Sequence, residues 1–129
     1  MARVPIVRID TTLIATVQDD LRDRDALELQ TNLCTLLENT RATGVLLDLS
    51  VVETVDSFLG RLLDDIARVS RLLGAQTVVV GLRPAVAVTL VELGLQLKDV
   101  HTALNPDKGL ALLRRLVQEE RRRGGLTAN

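Results

Sequence analysis

The chain has 129 residues, of which 47% are apolar, and its formal net charge is −1. This length is sufficient to bury one core without metals or disulfides. Phe58 is the only aromatic residue, so the chain has no aromatic platform for unpaired bases, and its charge provides no long-range attraction to nucleic acid or anionic lipid.

Location and redox chemistry are also constrained by the composition. No apolar run approaches the roughly 18 residues that a membrane-spanning helix needs, so we expect a cytoplasmic protein that does not contact the membrane. Cys34 is the only cysteine, which excludes a disulfide within the chain. Because Cys34 shares a helical face with Leu27 and Leu37, we expect a buried, unreactive thiol.

The N-terminal segment predicts a β-hairpin. Residues 4–9, "VPIVRI", and residues 12–18, "TLIATVQ", are two runs rich in β-branched side chains, separated by two turn residues. Pro5 cannot donate a ladder hydrogen bond, so the first strand should lie near a sheet edge.

The next segment predicts a helix followed by a buried strand. "DALE" resembles a capping box, in which Asp25 accepts from the first-turn amides and Glu28 reaches back to the cap. This helix should end before Gly44. Residues 45–50, "VLLDLS", are short and almost wholly apolar, as expected of a strand covered on both faces.

A second helix is predicted to begin around Ser57 and to end at Gly74. Asp64 and Arg68 on its polar side form an i,i+4 pair in the favourable order. Its apolar stripe consists of Phe58, Leu62, Ile66, Val69 and Leu73, widened by Leu59 and Leu63.

The last part of the chain predicts two strands and two helices. Residues 76–82 form a second buried strand, and Pro84 is at the first position of a short helix. Residues 100–104 are a weaker strand candidate, and Pro106 opens a last helix. The final segment, "GGLTAN" at 124–129, should be a frayed tail.

Strands that alternate with helices after a hairpin indicate an α/β domain with a mixed β-sheet and about four helices. The strands at 45–50 and 76–82 are joined by a helix, so we expect them to be parallel neighbours. The start of that helix then lies at the carboxyl end of a strand, where α/β domains commonly place their functional groups.

Ser57 is the candidate functional residue at this position. Its local pattern fits a helix cap, a nucleophile or a phosphorylation site. A serine nucleophile needs a nearby base, but His101 is the only histidine and no glycines flank Ser57 as they do in a nucleophile elbow. We therefore expect no catalytic residues, and the capping and phosphorylation roles both stay open.

Metal and cofactor sites are not expected. The acidic segment at 18–25, "QDDLRDRD", lacks the glycine and the closing glutamate of a calcium loop and is interpreted as a solvated turn. No glycine-rich phosphate-binding motif occurs, although a phosphate could dock at a helix N-terminus. The basic cluster at 121–123 is interpreted as a solvated helix end.

Three motifs occur in an order that resembles the STAS-domain family of bacterial anti-sigma factor antagonists, most of all the small single-domain antagonists of the stressosome. They are the strand that ends in Asp48, "DSF" at 56–58, and "GLRPAVAVTLVELG" at 81–94. The resemblance implies a STAS fold over residues 1–120, followed by a flexible basic and glycine-containing tail at 121–129.

The resemblance also implies a switch. In such antagonists the serine of the "DSF" stretch, here Ser57, is phosphorylated by a partner serine/threonine kinase of the histidine-kinase-like ATPase fold and restored by a metal-dependent phosphatase. The unmodified scaffold holds the kinase, and phosphorylation releases it into a sigma-factor or second-messenger pathway. Asp56, Phe58 and Arg61 would then belong to the interaction surface near the switch.

Further partners and a second site follow from the same resemblance. A sensor-bearing STAS co-antagonist would assemble with this chain, and a dimer or homo-oligomer is expected. Related co-antagonists can carry a phosphorylated threonine at the position that matches Thr89, for which a structural role within the helix is the alternative.

Two other functions remain open. A simple antagonist could bind a dimeric anti-sigma kinase directly, without a large scaffold. A module of another class could bind a small ligand or nucleotide at the helix ends that follow the buried strands.

Overall fold

The computed structural model describes residues 4–127 of the chain, with side chains to residue 123. Strands and helices follow each other in the predicted order. The elements are β1 (Ile6–Ile9), β2 (Thr12–Thr16), α1 (Asp23–Thr40), β3 (Gly44–Asp48), α2 (Ser57–Leu72), β4 (Gln76–Val80), α3 (Pro84–Glu92), β5 (Val100–Ala103) and α4 (Pro106–Thr127).

The five strands form one mixed sheet in the order β1-β2-β3-β4-β5. Strands β1 and β2 are antiparallel, which confirms the hairpin, and β1 is at the edge where Pro5 predicted it. The other pairs are parallel, including β3 with β4, where Val45 lies opposite Thr77. The α/β class and the mixed sheet are therefore confirmed.

The sheet is covered by helices on both faces, which explains why β3 and β4 are almost wholly apolar. On one face the helices α1, α2 and α3 contribute to the main core, through residues such as Leu33, Ile66 and Leu90. On the other face α4 packs through Leu113 against Leu46 of β3 and the valines of β4. Branched aliphatic side chains thus fill both layers.

The first helix begins three residues earlier than the sequence predicts. Its N-cap is Arg22, and Asp25 is the third helical residue, whose carboxylate accepts from the backbone N–H of Arg22 at 3.4 Å. The predicted cap at Asp25 with Glu28 reaching back is wrong, because Asp23 and Arg24 already have helical backbone. Cys34 is half-buried rather than buried.

Helix α2 is rotated relative to the predicted stripe. The side chains that it buries are centred on Leu59, Leu63 and Ile66 and include Ser70. Phe58 is 37% exposed and Leu73, just past the helix, is 47% exposed, so their predicted place in the buried stripe is wrong. The orientation follows the contacts of α2 with β4 and α1, which a pattern within one helix does not contain.

The last helix is longer than the sequence predicts. Its backbone is helical to Thr127, so the expectation that the helix ends at the basic cluster 121–123, before the final glycines, is wrong. The domain boundary at residue 120 stays a prediction. The flexibility of the segment at 121–129 stays a prediction, and residues 128–129 lie outside the described residues.

Candidate functional site

The candidate site is the start of α2, at the end of the loop that leaves β3. Asp56 has extended backbone, with φ −119°, and its carboxylate accepts from the N–H of Leu59 at 2.9 Å. Asp56 is therefore the N-cap, and Ser57 is the first helical residue. The interpretation of Ser57 as the cap is wrong: two capping residues are adjacent in the sequence, and the extended backbone of Asp56 decides between them.

The hydroxyl of Ser57 is exposed and has no hydrogen-bond partner among the described residues. It lies in the first turn of α2, where the first backbone N–H groups have no carbonyl partner within the helix and the helix dipole is positive. A negatively charged group attached to this oxygen would therefore have a favourable electrostatic contact with the helix end. The hydroxyl is accessible to another protein without any unfolding of α2.

The residues predicted to surround the switch lie on the same surface. Asp56, Phe58 and Arg61 are all exposed, and Arg61 follows Ser57 by four residues, one helical turn. Phe58 thus presents the only aromatic ring of the chain partly to solvent. A shallow groove borders this surface, lined by Asp19, Leu21, Asp23, Thr54, Val55, Asp56, Phe58 and Leu59.

The loop between β3 and α2, residues 49–56, is held in place at its start by two polar contacts. The carboxylate of Asp48 accepts from the N–H of Ser50 at 2.9 Å, and the guanidinium of Arg83 donates to the Ser50 carbonyl at 3.0 Å. We call residues 49–56 the acceptor loop, because they lead to Ser57, the predicted phosphate acceptor. Its first residues are therefore tied both to β3 and to the start of α3.

Gly81 allows this close approach of the two loops. Its φ is +71°, and a Cβ there would lie 2.9 Å from the Cβ of Ser50 and 3.0 Å from its Cα. A side chain at this position would meet both a strained backbone and a steric clash. The "GLRP" segment therefore shapes the start of the acceptor loop.

The middle of the acceptor loop is held by Asp19, which belongs to the acidic segment at 18–25 that the sequence predicts to be a solvated turn. The carboxylate of Asp19 accepts from the N–H of Glu53 at 2.8 Å and from that of Thr54 at 3.3 Å. These residues are 34 and 35 positions apart. No short-range pattern signals such a contact, because it depends on how the β2–α1 loop and the β3–α2 loop meet at the carboxyl ends of neighbouring strands.

Thr89 is in a different environment from Ser57. It is half-buried within α3, and its hydroxyl donates to the carbonyl of Ala85 at 3.0 Å. The oxygen is thus engaged with the helix backbone. The structure does not bring Thr89 and Ser57 into one hydrogen-bonded group.

At the opposite end of the sheet a polar network links four elements. The side-chain amide of Gln76, at the start of β4, donates to Glu120 of α4 at 2.6 Å, and Glu120 also accepts from Arg71 of α2 at 3.1 Å. His101 lies 3.3 Å from the other amide atom of Gln76. The single histidine therefore belongs to a structural network and is not positioned beside Ser57.

Three further expectations concern metal ligands, the Asp64–Arg68 pair and membrane-spanning helices. No group of three or more metal-ligating side chains occurs among the described residues. On α2, Arg68 donates to Asp64 as predicted, and this hydrogen bond raises the pKa of Arg68. Within the residues described, no helix is long and apolar enough to cross a bilayer.

A protein family matches most of this chain, from β1 to the start of α4. The model of the STAS domain matches residues 3–108. The chain belongs to the STAS-domain family.

Two solved structures show which members of the family this chain resembles. The chain resembles RsbS of Moorella thermoacetica, solved as a serine-to-glutamate variant, with 36% identity, a TM-score of 0.80, and coverage of 90% of this chain and 98% of that one. A structure described as the molecular architecture of the stressosome, a signal integration and transduction hub, contains a chain with 37% identity and a TM-score of 0.77, with coverage of 88% and 98%.

A curated relative is longer than this chain. The RsbT co-antagonist protein RsbRD of Bacillus subtilis strain 168 is 33% identical over 93 residues, which cover 72% of this chain and 32% of that protein. The chain thus spans about a third of the length of the curated relatives that it matches.

Proposed function

We propose that this protein is a non-enzymatic stressosome scaffold and anti-sigma factor antagonist, which sequesters a partner serine kinase and releases it when Ser57 is phosphorylated. The likeness to RsbS and to the stressosome chain supports the assignment to this class. The observation that carries the mechanism is the free, exposed hydroxyl of Ser57 at the first position of α2. Thr89 is a less suitable acceptor because its hydroxyl already donates to Ala85.

The covalent step requires ATP and the kinase. The Ser57 oxygen attacks the γ-phosphorus of ATP, the bond to the β-phosphate oxygen breaks, ADP leaves, and the serine proton passes to a base on the kinase. The reverse reaction is hydrolysis of the phosphate ester by water on a metal-dependent phosphatase, which restores the hydroxyl. This chain contributes the acceptor oxygen and its position, and the partners contribute the catalytic groups.

Release follows from the charge that the phosphate adds. A phosphoserine carries about −1.5 to −2 charges near neutral pH, next to the carboxylate of Asp56. The helix end tolerates this charge within the protein. A kinase docked over Phe58 and Arg61 would have to desolvate the phosphate or approach it with acidic groups, so its affinity should fall.

The wider assembly is part of the same proposal. Two curated relatives are named as RsbT co-antagonists, and we propose a sensor-bearing STAS co-antagonist of this kind as a partner. We further propose that the protein works in the cytoplasm as a dimer or larger homo-oligomer within that assembly. Thr89 is retained only as a second, minor phosphorylation site.

The acceptor is tested by mass spectrometry after incubation with the cognate kinase and ATP. Phosphate should appear on Ser57 in the parent protein and in a Thr89→Val control, and Ser57→Ala should carry none at this position. Phosphate on other residues but never on Ser57 would refute the proposed mechanism.

Kinase capture is tested separately by a pull-down with the unmodified kinase. Ser57→Asp should weaken capture, whereas Ser57→Ala should retain it. Phe58→Ala should weaken capture, and Leu72→Ala is the matched control, because Leu72 is also apolar and exposed but lies at the far end of α2. If Ser57→Asp and Phe58→Ala both bound the kinase like the parent, the docking surface would lie elsewhere.

The size of the complex separates the scaffold from the simple antagonist. Gel filtration with a sensor-bearing partner should give a very large particle, and a small complex with the kinase alone would favour the simple antagonist. Calorimetry with nucleotides should detect no saturable binding to the purified protein, and saturable binding would support the ligand-binding alternative.

A further inference from the structure

Hydrogen bonds hold the acceptor loop at both of its ends. The side chains that make them are close to the loop in sequence or belong to the segment between β4 and α3. Asp48 and Arg83 fix Ser50 at the start, and Val52 is fully buried with its N–H donated to the Leu49 carbonyl at 3.0 Å. Asp56 closes the loop by capping α2. Between Val52 and Asp56, Glu53 and Thr54 are exposed, whereas Val55 is half-buried and packs against the main core.

Asp19 supplies the hydrogen bonds in this middle part. One carboxylate oxygen accepts from both Glu53 and Thr54, at 2.8 and 3.3 Å. All three residues are exposed, so residues 53 and 54 are held mainly by polar contacts. These are the two hydrogen bonds to Asp19 and, for Glu53, an ion pair with Arg83 at 4.0 Å. Thr54 precedes Ser57 by only three residues, so its position bears on the path by which the chain enters α2.

We propose that Asp19 is a positioning residue for phosphoryl transfer to Ser57, a role that rests on the proposed function. Its carboxylate fixes residues 53 and 54 and thereby fixes the direction in which the chain enters α2. The Ser57 hydroxyl is then presented in one place rather than in several. Phosphoryl transfer depends strongly on such placement, because the attacking oxygen must lie in line with the leaving group.

The role of Asp19 depends on its side-chain oxygen as a hydrogen-bond acceptor and not on its negative charge. A neutral asparagine carries an oxygen in the same place and can accept from both N–H groups, whereas alanine cannot. Asp23 lines the same groove and carries the same charge, but no hydrogen bond joins it to the acceptor loop in the described structure. Three variants therefore separate the effect of the hydrogen-bond acceptor from the effect of the charge: Asp19→Asn, Asp19→Ala and Asp23→Asn.

The first measurement needs only the purified protein. Amide hydrogen exchange followed by NMR should be about fivefold faster or more at Glu53 and Thr54 in Asp19→Ala, as expected for the loss of one net hydrogen bond. Asp19→Asn and Asp23→Asn should exchange like the parent at these amides, and amides of β3 and β4 should be unchanged in all variants. Unchanged exchange at both loop amides in Asp19→Ala would overturn the inference.

The second measurement is the rate of phosphate transfer to Ser57 by the cognate kinase. The kcat/KM of the reaction should fall about tenfold with Asp19→Ala, by analogy with other losses of placement, and should recover with Asp19→Asn. Asp23→Asn should match the parent protein. A loss of the same size in Asp19→Asn would show that charge matters instead, and would overturn the role as stated.

Failure of this inference is distinguishable from failure of the proposed function. If the parent protein never accepts phosphate on Ser57, the proposed function is refuted. If the parent and Asp19→Ala accept phosphate at equal rates, only the positioning role of Asp19 is refuted. Thermal unfolding of each variant confirms that the rates refer to folded protein.

Discussion

Thr77→Val should stabilise the protein, because it removes a buried hydroxyl that has no hydrogen-bond partner. Thr77 is 1% exposed, and its hydroxyl oxygen is the buried side-chain polar atom left unsatisfied in the described structure. On the neighbouring strands it lies between Val45 and Val100, which offer no polar group. Valine has nearly the same shape and the same preference for a strand.

The size of the gain follows from the desolvation of the hydroxyl. A buried polar group without a partner costs about 1–3 kcal/mol relative to one that is hydrated or bonded. Since the methyl group of valine fills the same space without a cavity, most of that cost should be recovered, and we expect a gain of about 1 kcal/mol in the free energy of unfolding. For a chain of this size that gain raises the melting temperature by about 3–5 °C.

Urea unfolding and thermal unfolding, both followed by circular dichroism, measure the change. The matched control is Thr102→Val on β5, where the same substitution is made at an exposed position and should alter the free energy by no more than about 0.5 kcal/mol. A lower free energy of unfolding for Thr77→Val would refute the reasoning, since it would mean that the hydroxyl makes a stabilising hydrogen bond in solution.

Other substitutions test the cap, the packing of α4 and the polar network. Asp56→Ala should lower the free energy of unfolding by about 1 kcal/mol and Asp56→Asn by much less, in a thermal-unfolding comparison, because asparagine caps nearly as well; equal losses would contradict the capping role. Gly109→Ala should lower the melting temperature although alanine favours helices by about 1 kcal/mol, because its Cβ would lie 2.6 Å from a methyl group of the buried Val80; a higher melting temperature would refute this. Glu120→Ala should cost about 1 kcal/mol more in urea unfolding than Glu120→Gln, since only glutamine keeps an acceptor for the buried amide of Gln76; equal costs would show that the network contributes nothing.

Much of the fold was predictable because each element carries its own local signal. The runs of β-branched residues located the strands, and Pro84 and Pro106 marked helix starts that the structure confirms. The parallel pairing of β3 and β4 followed from the helix that joins them. These signals depend on residues close together in sequence, so they can be recognised without knowledge of the tertiary structure.

The wrong predictions of helix starts arose where the sequence fits two local structures equally well. Asp56 and Ser57 are both capping residues, and Asp23 and Asp25 both suit the first turn of a helix, so only the backbone conformation decides between them. The exposure of Phe58 depends on the rotation of α2 against its neighbours. The pattern of apolar residues on a single helix does not contain that information.

The sequence predicted the place of Ser57 at the start of α2, but it did not predict the residue that holds the loop before it. Ser57 was identified from its place after a buried strand and from the family resemblance. Asp19 was assigned to a solvated turn, because its partners lie more than thirty positions away. Contacts between loops are decided by the arrangement of the strands that carry them, and this arrangement has no signature in the loop sequences.

The direction of α4 has a practical consequence for experiments on the switch. Gly109, near the start of the helix, is next to Val80 at the carboxyl end of β4, whereas Glu120 contacts Gln76 at the amino end of the same strand. The distal half of α4 thus points away from the sheet edge that carries Ser57. A sensor surface or fluorophore attached at the exposed position 122, through an Arg122→Cys substitution, would leave the end of the sheet that carries Ser57 unobstructed. The proposed binding and release of a kinase could then be followed on immobilised protein in real time.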